Sequence, residues 1–346
     1  MVELDWANLS FKARPTNAIV VSFYRDGQWS IPEVTENFNL TLSSFAGVFH
    51  YASACIEGLK AFRGIDGKVR IFRPKESGER LRSSGAHLDM AVPSTEMFID
   101  MCVMCVKANI DYLPPYGYDA SMYLRPILVG TNSQLGVDSS VDVMLAIMCS
   151  PVGTYGGSTN LAPCKAILSR NYDRVAPNGT GRFKIAANYA PSLHPCNVAH
   201  KRGYDQVLFL DPGTKTTIDE FASSNFFAIK GNSYITPLSD TILPSITNNS
   251  LQRLAEDLGY QVVTRPVPVE DLAEFEEVNT CGTAIVLRPV HRIDDRPAIE
   301  SEILTKSYTF GAPDKCGAVS QKLYNFIKDI QEGREEDIHN WCLTVR

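Results

Sequence analysis

Apolar residues along this chain follow two different periods, and the period changes many times along its length. Short apolar runs typical of β-strands occur in the first half at 18–23, 69–72, 121–128 and 141–148. Apolar residues that recur every three or four positions predict helices at 77–88 and 95–110. Further along, strands are predicted at 165–170, 206–211 and 226–230, and helices at 189–201, 250–258 and 318–333. Because strand and helix alternate in both halves, the predicted class is α/β or mixed α+β.

A stretch rich in turn-forming residues separates the two halves. Residues 151–159 contain Pro, Gly, Ser and Thr at most positions, a composition typical of an exposed connection. The chain has 346 residues, which exceeds what one hydrophobic core usually organises. We therefore predict a smaller N-terminal α/β domain at 1–152, an interdomain loop at 153–163 and a larger C-terminal domain at 164–346.

Composition and charge narrow the class of protein. Hydrophobic residues make up 44% and charged residues 21% of the chain, which is typical of a soluble globular protein. The net charge of −6 disfavours nucleic acid or an anionic membrane as a partner. No apolar run is long enough to cross a bilayer, and the acidic first residues lack the basic and apolar parts of a signal peptide. The expectation is a cytoplasmic protein with no nucleic-acid or membrane partner.

The nine cysteines form no regular spacing that would predict a disulfide framework. Cys102 and Cys105 make one C-x-x-C within the predicted helix at 95–110. A redox motif or half of a zinc site is one interpretation. With no second C-x-x-C and no suitable histidine nearby, small buried core residues are the favoured one, and no metal site is predicted.

Two segments have residues suited to binding or covalent chemistry. Lys184 stands between Phe183 and Ile185, and apolar surroundings disfavour the ammonium and favour the neutral amine that Schiff-base chemistry requires. A lysine whose head group reaches solvent gives the same pattern. Residues 243–251 lead into a helix whose first N–H groups can bind an anion, although simple capping by Ser or Thr is the more frequent arrangement.

Two further segments are equally ambiguous when taken alone. Residues 280–284 combine a glycine, which permits close backbone approach to a ligand, with threonines that can donate to phosphate. Residues 217–225 place a carboxylate near several hydroxyls. An ordinary turn and a solvated loop explain these two patterns as well as a ligand site does. Neither decides the function alone, but the order of all four segments along the chain is informative.

From His50 to about residue 343 the chain resembles the branched-chain amino-acid aminotransferases, which are PLP (pyridoxal 5′-phosphate) enzymes of fold-type IV. The matching stretches are HY at 50–51, EGLKAF at 57–62, FRP at 72–74, RL at 80–81, YLRP at 123–126, LGV at 135–137, PVG at 151–153, KIAANY at 184–189, ILP at 242–244, CGTA at 281–284 and PVHR at 289–292. The resemblance implies a two-domain fold-type IV architecture. It also implies reversible transfer of the amino group of Leu, Ile or Val to 2-oxoglutarate.

The resemblance implies a cofactor role for each residue at a matching position. Lys184 would carry PLP as a Schiff base and move the proton during the reaction. Glu220 would pair with the pyridine nitrogen, so a Glu220→Ala variant is expected to lose catalysis more than stability. Tyr189 would hydrogen-bond the phenolic oxygen of PLP. The phosphate and the rest of the cofactor would be held by Arg80, Ser223, Ile246, Thr247 and Thr283.

The resemblance also implies a pocket for small-molecule amino acids and 2-oxo acids, formed by Tyr51, Ile56, Tyr123, Arg125, Tyr155 and Ala284. Tyr51 and Arg125 would contact the distal carboxylate of glutamate, and a second copy of the chain in a homodimer would complete the pocket. Ile56 replaces the aromatic residue usual in the family, and Ala186-Ala187 replaces a glycine pair. These differences leave open an aminotransferase of shifted preference. An aminodeoxychorismate-lyase-like PLP lyase and a binding protein without activity are two further alternatives on the same scaffold.

Overall fold

The structure is a computed structural model that describes residues 2–153 and 161–346. The described residues form two compact units. The first unit contains residues 2–153 together with Phe183–Ala187 and Asp329–Arg346, and the second contains 161–182 and Asn188–Lys328. The predicted interdomain loop at 153–163 falls largely on residues outside the described ranges, so its boundaries stay a prediction.

The secondary structure mixes helices and strands along the whole chain. The helices are α1 (Gly47–Tyr51), α2 (Pro74–His87), α3 (Thr95–Ala108), α4 (Ala190–Lys201), α5 (Ile246–Asp257) and α6 (Ala318–Gln331). The strands are β1 (Ile19–Arg25), β2 (Gln28–Trp29), β3 (Glu33–Thr35), β4 (Ala54–Ile56), β5 (Leu59–Arg63), β6 (Val69–Phe72), β7 (Ser121–Gly130), β8 (Val143–Val152), β9 (Cys164–Ser169), β10 (Gln206–Leu210), β11 (Thr217–Phe221), β12 (Asn225–Lys230), β13 (Ser233–Pro237), β14 (Gln261–Arg265), β15 (Val267–Pro268), β16 (Glu277–Gly282), β17 (Val286–Asp295), β18 (Lys306–Thr309) and β19 (Cys342–Val345). The predicted α/β (α+β) class is confirmed, with several element ends shifted by a few residues.

The first unit is built on an antiparallel sheet with helices on one face. Its strand order is β19-β6-β5-β7-β8-β1-β2, with β3 paired to β1 and β4 paired to β7. Helices α2 and α3 pack against each other and cover the face formed by alternate strand residues. The core between them includes Leu59, Ile71, Leu81, Phe98, Met101, Leu124 and Leu128, all buried. Burial of side chains this large supplies most of the stabilisation of such a layer.

Helix α2 approaches the sheet closely because a glycine faces it. A Cβ atom at Gly85 would lie 2.7 Å from side-chain carbons of Leu128 and Val92. Helix α2 begins at Pro74, whose fixed φ suits the first helical position. Two other side chains of α2, those of Arg80 and Ser84, contact Glu57 after β4 and the main chain of Lys184.

The C-x-x-C cysteines belong to the core of the first unit. Cys102 and Cys105 lie on α3 and are fully buried, and burial raises the pKa of the Cys102 thiol well above its usual range. Small apolar side chains buried in this way are typical of core residues. Burial therefore agrees with the core interpretation, and no group of residues that could hold a metal occurs in the described ranges.

The second unit contains a mixed sheet in the order β14-β13-β12-β16-β17-β9-β10-β11-β15, with β18 paired to β17. Strand β9 runs parallel to β10 and β17, β13 runs parallel to β14, and the other pairs are antiparallel. Helix α4 contacts β10, and α5 contacts β14 and β16. Among the described residues, no helix is both long and apolar enough to span a bilayer.

Candidate active site

Lys184 lies in the segment Phe183–Ala187, which the first unit holds through its backbone. The Lys184 N–H donates to the hydroxyl of Ser84 on α2 at 2.9 Å. The Lys184 carbonyl accepts the N–H of Ile56, the last residue of β4, at 3.0 Å. The Lys184 side chain is half-buried. The main chain at this position is therefore fixed by a helix on one side and a strand on the other.

One face of helix α2 supplies several of these contacts. Arg80, Ser84 and His87 are spaced by four and three residues, so their side chains lie on the same side of the helix. His87 stacks on Phe183 with ring centroids 3.8 Å apart. Arg80 makes a bidentate ion pair with Glu57, with Nε to Oε1 at 2.7 Å and Nη2 to Oε2 at 2.9 Å. The same helix face thus supports the lysine segment and orients the predicted phosphate-binding arginine.

The opposite face of the sheet in the first unit carries three of the predicted substrate contacts. Leu124 points into the core under the helices, so Tyr123 and Arg125 point to the other face. Arg125 Nη2 donates to the Tyr123 hydroxyl at 3.0 Å, and the guanidinium lies 5.3 Å from the Tyr123 ring centroid. Ile56 pairs with Ile127, the next residue on that face of β7. The structure therefore brings Ile56, Tyr123 and Arg125 together.

Gly58 gives the Tyr123–Arg125 pair the space it needs, which leads to a testable prediction. A Cβ atom at Gly58 would lie 1.9 Å from the Tyr123 hydroxyl oxygen, so Tyr123 must move in a Gly58→Ala variant. Because Arg125 donates to that oxygen, the guanidinium is displaced too. We expect the KM for a 2-oxo acid, the substrate that the resemblance implies, to rise about tenfold or more.

Steady-state kinetics with varied 2-oxo acid concentration test this prediction. Gly213→Ala is the matched control, because a Cβ atom there meets only Asp211 side-chain oxygens at 3.5 Å and 3.8 Å. An unchanged KM in Gly58→Ala, with the fold retained, would show that the position of Tyr123 does not control substrate binding.

Glu220 is the centre of a buried polar cluster in the second unit. It lies on β11, and its Oε1 accepts from Arg174 Nη2 at 2.8 Å and from the Leu243 N–H at 3.3 Å. Its Oε2 accepts from the Asn225 amide at 2.8 Å. The side chains of Arg174 and Glu220 are 8% and 5% exposed. A cation and two further donors thus favour the ionised carboxylate, which is the form that can pair with a protonated ring nitrogen.

The start of helix α5 follows directly after Leu243. The Ser245 hydroxyl caps it by accepting the Asn248 N–H at 3.1 Å. Ile246 and Thr247 are the first helical residues, and the positive end of the helix dipole lies at such positions. Thr247 is buried. The start of a helix can bind an anion, and the capping by Ser245 that the sequence left open is present. The phosphate contacts of Ile246 and Thr247 stay a prediction.

Two turns of the second unit carry the remaining predicted cofactor contacts. Ser223 is exposed in the turn between β11 and β12, next to Ser224, whose hydroxyl contacts that of Thr280. Thr283 follows the end of β16 and is half-buried, as is Ala284. The Ser224–Thr280 contact brings these two turns together. Tyr189 lies elsewhere, at the N-cap of α4, and is half-buried.

Of the three other predicted substrate contacts, Ala284 lies in the turn after β16 described above, and the remaining two are tyrosines. Tyr51 is 36% exposed at the end of α1, and its hydroxyl donates to the backbone carbonyl of Leu135. This ties Tyr51 to the loop after β7. Tyr155 lies outside the described residues.

Several residues of the site had no predicted role. Glu57 belongs to a motif that the sequence singles out, but nothing in the motif indicates that it is fully buried and paired with Arg80. Arg174 stands in a polar stretch that reads as a loop, and its pairing with Glu220 joins positions far apart in the chain. Phe11 contacts Tyr123 edge-on, with ring centroids 5.0 Å apart. Such long-range pairs leave no local pattern from which they could be predicted.

Comparison with solved structures identifies the architecture. The Escherichia coli branched-chain amino acid aminotransferase matches with a TM-score of 0.80 at 24% identity, covering 96% of this chain and 100% of that chain. The Thermobaculum terrenum branched-chain amino acid aminotransferase in its PLP form matches with a TM-score of 0.75 at 22% identity, covering 96% and 99%. The fold is therefore that of the fold-type IV aminotransferases.

Sequence comparison then defines the family. Residues 54–293 match the amino-transferase class IV family. The branched-chain-amino-acid aminotransferase of Helicobacter pylori is 38% identical over 344 residues, covering 99% of this chain and 98% of the relative. That of Haemophilus influenzae is 38% identical over 354 residues, covering all of both. The chain belongs to the branched-chain amino-acid aminotransferase family of the class IV aminotransferases.

Proposed function

We propose that this chain is a PLP-dependent transaminase that moves the amino group of Leu, Ile or Val to 2-oxoglutarate, giving 2-oxo acids and glutamate. The observation that carries the proposal is the 38% identity to the Helicobacter pylori relative over 99% of the chain. The half-buried Lys184 and the buried, cation-paired Glu220 supply the two groups that such a reaction requires.

The donor groups that the resemblance assigns, some in each unit, match the functional groups of PLP. The cofactor has an aldehyde, a ring nitrogen, a phenolic oxygen and a phosphate. Lys184 offers an amine for the aldehyde. The Glu220 carboxylate, held by Arg174 at 2.8 Å, offers a counter-ion for the ring nitrogen. Tyr189 offers a hydroxyl for the phenolic oxygen. The phosphate would be held by Arg80, Ser223, Thr283 and the N–H groups of Ile246 and Thr247 at the start of α5.

Lys184 and Glu220 have different tasks in this reaction. When bound, PLP supplies an electron-accepting ring that stabilises negative charge at the α-carbon of the amino acid. Lys184 Nζ removes the α-proton and later returns a proton, acting as base and then as acid. Glu220 keeps the ring nitrogen protonated, which Arg174 supports by holding the carboxylate ionised and oriented.

The predicted substrate contacts include both apolar and charged groups, which suits an aliphatic amino acid in one half-reaction and a dicarboxylate in the other. Arg125 carries a charge on a face otherwise formed by Ile56 and Tyr123, and its Nε is buried without a hydrogen-bond partner among the described residues. An orphaned guanidinium nitrogen fits a carboxylate ligand. Tyr51 of the first unit and Ala284 of the second are proposed as further substrate contacts. One pocket can then serve both halves of a ping-pong cycle.

An amino-donor screen tests the proposed function. Purified chain with PLP and 2-oxoglutarate is supplied with Leu, Ile, Val, Phe or Met, and glutamate formation is measured. We expect the three branched-chain donors to have the highest kcat/KM. Negligible turnover of all three would contradict the proposal, and release of pyruvate from aminodeoxychorismate would assign the chain to the lyases instead.

We also propose that the chain is a homodimer. Five large apolar side chains of the first unit form an exposed apolar patch: Phe45, Phe49, Leu135, Val137 and Val141, which are 51%, 64%, 76%, 85% and 70% exposed. The segment that carries Phe45 and leads into α1 is joined to the loop after β7 by the Gln134 N–H, which donates to the Phe45 carbonyl at 3.0 Å. Apolar patches of this kind commonly mark interfaces, and a second copy is the simplest occupant. Tyr51 adjoins the patch through Leu135.

A charge placed in the exposed apolar patch tests the dimer. Val137→Asp is expected to weaken self-association about 30-fold or more, because an aspartate would be buried without a partner in the interface. Light scattering coupled to size-exclusion chromatography measures the mass over a concentration series. Ile303→Asp is the control, since Ile303 is 69% exposed but lies in the second unit. A wild-type chain that is monomeric at all concentrations would rule out the dimer.

We propose a cytoplasmic location on the basis of the cysteines. All nine are present as free thiols, which is the state that a reducing compartment maintains.

The division into an N-terminal domain at 1–152, a loop at 153–163 and a C-terminal domain at 164–346 also stays a proposal.

A further inference from the structure

Asp219, the neighbour of Glu220 on β11, is buried and has no part in the function proposed above. It is 2% exposed, and alternation along the strand directs it away from Glu220. The Thr241 hydroxyl donates to Asp219 Oδ2, and the hydroxyls of Thr241 and Ser239 lie 2.7 Å apart. Asp219 Oδ1 has no hydrogen-bond partner among the described residues. A carboxylate buried with so few donors requires another source of stabilisation.

The segment that Asp219 anchors, residues 239–243, also holds both members of the Arg174–Glu220 pair. Arg174 Nη2 donates to the Thr241 carbonyl as well as to Glu220. Two residues further on, the Leu243 N–H donates to Glu220 Oε1 at 3.3 Å. The Thr241 hydroxyl bonded to Asp219 therefore fixes the backbone that orients Glu220.

The balance of charge gives Asp219 a second effect. Arg174 and a protonated ring nitrogen would both pair with Glu220. The single negative charge of one carboxylate cannot neutralise two cations. Burial, the largest effect, raises the pKa of Asp219 above its usual value, although hydrogen bonds from Thr241 and Ser239 and attraction to Arg174 oppose the rise. Repulsion by Asp211 adds to it. Asp219 and Arg174 both contact Thr241, one at its hydroxyl and the other at its carbonyl, so an ionised Asp219 would place a second negative charge near Arg174.

We propose that Asp219 is a positioning residue for the transamination proposed above. It fixes the 239–243 segment through Thr241, and its charge offsets that of Arg174 so that Glu220 remains available to the ring nitrogen. The inference rests on the proposed function, because it requires a cationic ring beside Glu220.

Paired variants separate the two effects. Asp219→Asn removes the charge but leaves an oxygen that can accept from Thr241. Thr241→Val removes the hydroxyl and keeps the charge, whereas Thr241→Ser retains both. Asp240→Asn is the matched control, because Asp240 belongs to the same segment but its side chain is 88% exposed, in a surface ion pair with Arg182.

The main measurement is the pH midpoint of the absorbance change of the PLP-loaded protein. Asp219→Asn is expected to lower this midpoint by about one unit, which is a tenfold change in proton affinity, since loss of a nearby negative charge disfavours the protonated cofactor. Asp240→Asn is expected to leave it unchanged. Thr241→Val is expected to raise the dissociation constant of PLP about tenfold, with Thr241→Ser close to the wild type.

Each outcome decides the proposal. A midpoint in Asp219→Asn equal to that in Asp240→Asn overturns the charge effect, and equal PLP affinity in Thr241→Val and the wild type overturns the positioning effect. The Thr241 variants keep the proposal testable if Asp219→Asn does not fold. A wild-type chain that takes up no PLP overturns the proposed function together with this inference. A wild type that is active while the variants do not differ from it overturns this inference alone.

Discussion

Replacing Lys184 by alanine is expected to lower kcat for leucine transamination by about 10⁴-fold or more. The variant lacks the amine that removes and returns the proton at the substrate α-carbon, and general acid–base catalysis alone contributes about 10²–10⁴-fold. Folding is expected to survive. The contacts that fix this segment to Ser84 and Ile56 use the main-chain N–H and carbonyl of residue 184, which alanine retains.

Single-turnover kinetics, thermal unfolding and peptide mass spectrometry together test this expectation. After borohydride reduction of the PLP-loaded wild type, the added cofactor mass should appear on the peptide that contains Lys184. Lys201→Ala is the control, since Lys201 is an exposed lysine at the end of α4. Partial recovery of Lys184→Ala by small primary amines would support a proton-transfer role. Wild-type rates in Lys184→Ala would contradict the assignment of the catalytic residue.

The parts of the fold that depend on local sequence could be predicted. The strand at 69–72 and the start of the helix at 95 agree with β6 and α3, because a short buried run and a helical period are both local patterns. The division into units was harder to predict. Phe183–Ala187 and Asp329–Arg346 belong to the first unit although most of their chain neighbours belong to the second. A prediction that places one boundary along the sequence cannot describe a chain that returns to its first unit twice.

Side-chain contacts of the site that join distant parts of the chain could not be predicted from the sequence either. Residues with a distinctive neighbourhood, such as Lys184 and the turn before α5, stand out because an amine among apolar residues and a helix start have recognisable chemistry. Their partners do not stand out. Glu57 and Arg174 are an ordinary acidic and an ordinary basic residue in the sequence, and only the fold shows that each is buried against an opposite charge. The position of a charge in the core depends on which strands become neighbours.

The partner of Glu220 changes what is expected of its removal. From the sequence alone, a Glu220→Ala variant should lose activity and keep its stability. In the structure, removal of Glu220 leaves the guanidinium of Arg174, only 8% exposed, without its carboxylate. Breaking a buried ion pair from one side typically costs about 3–5 kcal/mol. A loss of activity in this variant would therefore be confounded with a loss of folded protein.

A Glu220→Gln variant paired with Arg174→Leu separates the two effects, and we expect activity and stability to respond differently. Glu220→Gln alone should lower kcat about 10²-fold or more, since an uncharged amide cannot keep the ring nitrogen protonated, and should also lower the melting temperature. In the double variant the unpaired cation is gone, so the melting temperature should recover most of the loss. The kcat should not recover, because the carboxylate is still absent. Thermal unfolding of the PLP-free proteins and kcat at saturating PLP measure the two quantities. If the double variant regained activity along with stability, Glu220 would be a structural partner of Arg174 and not the group that holds the ring proton.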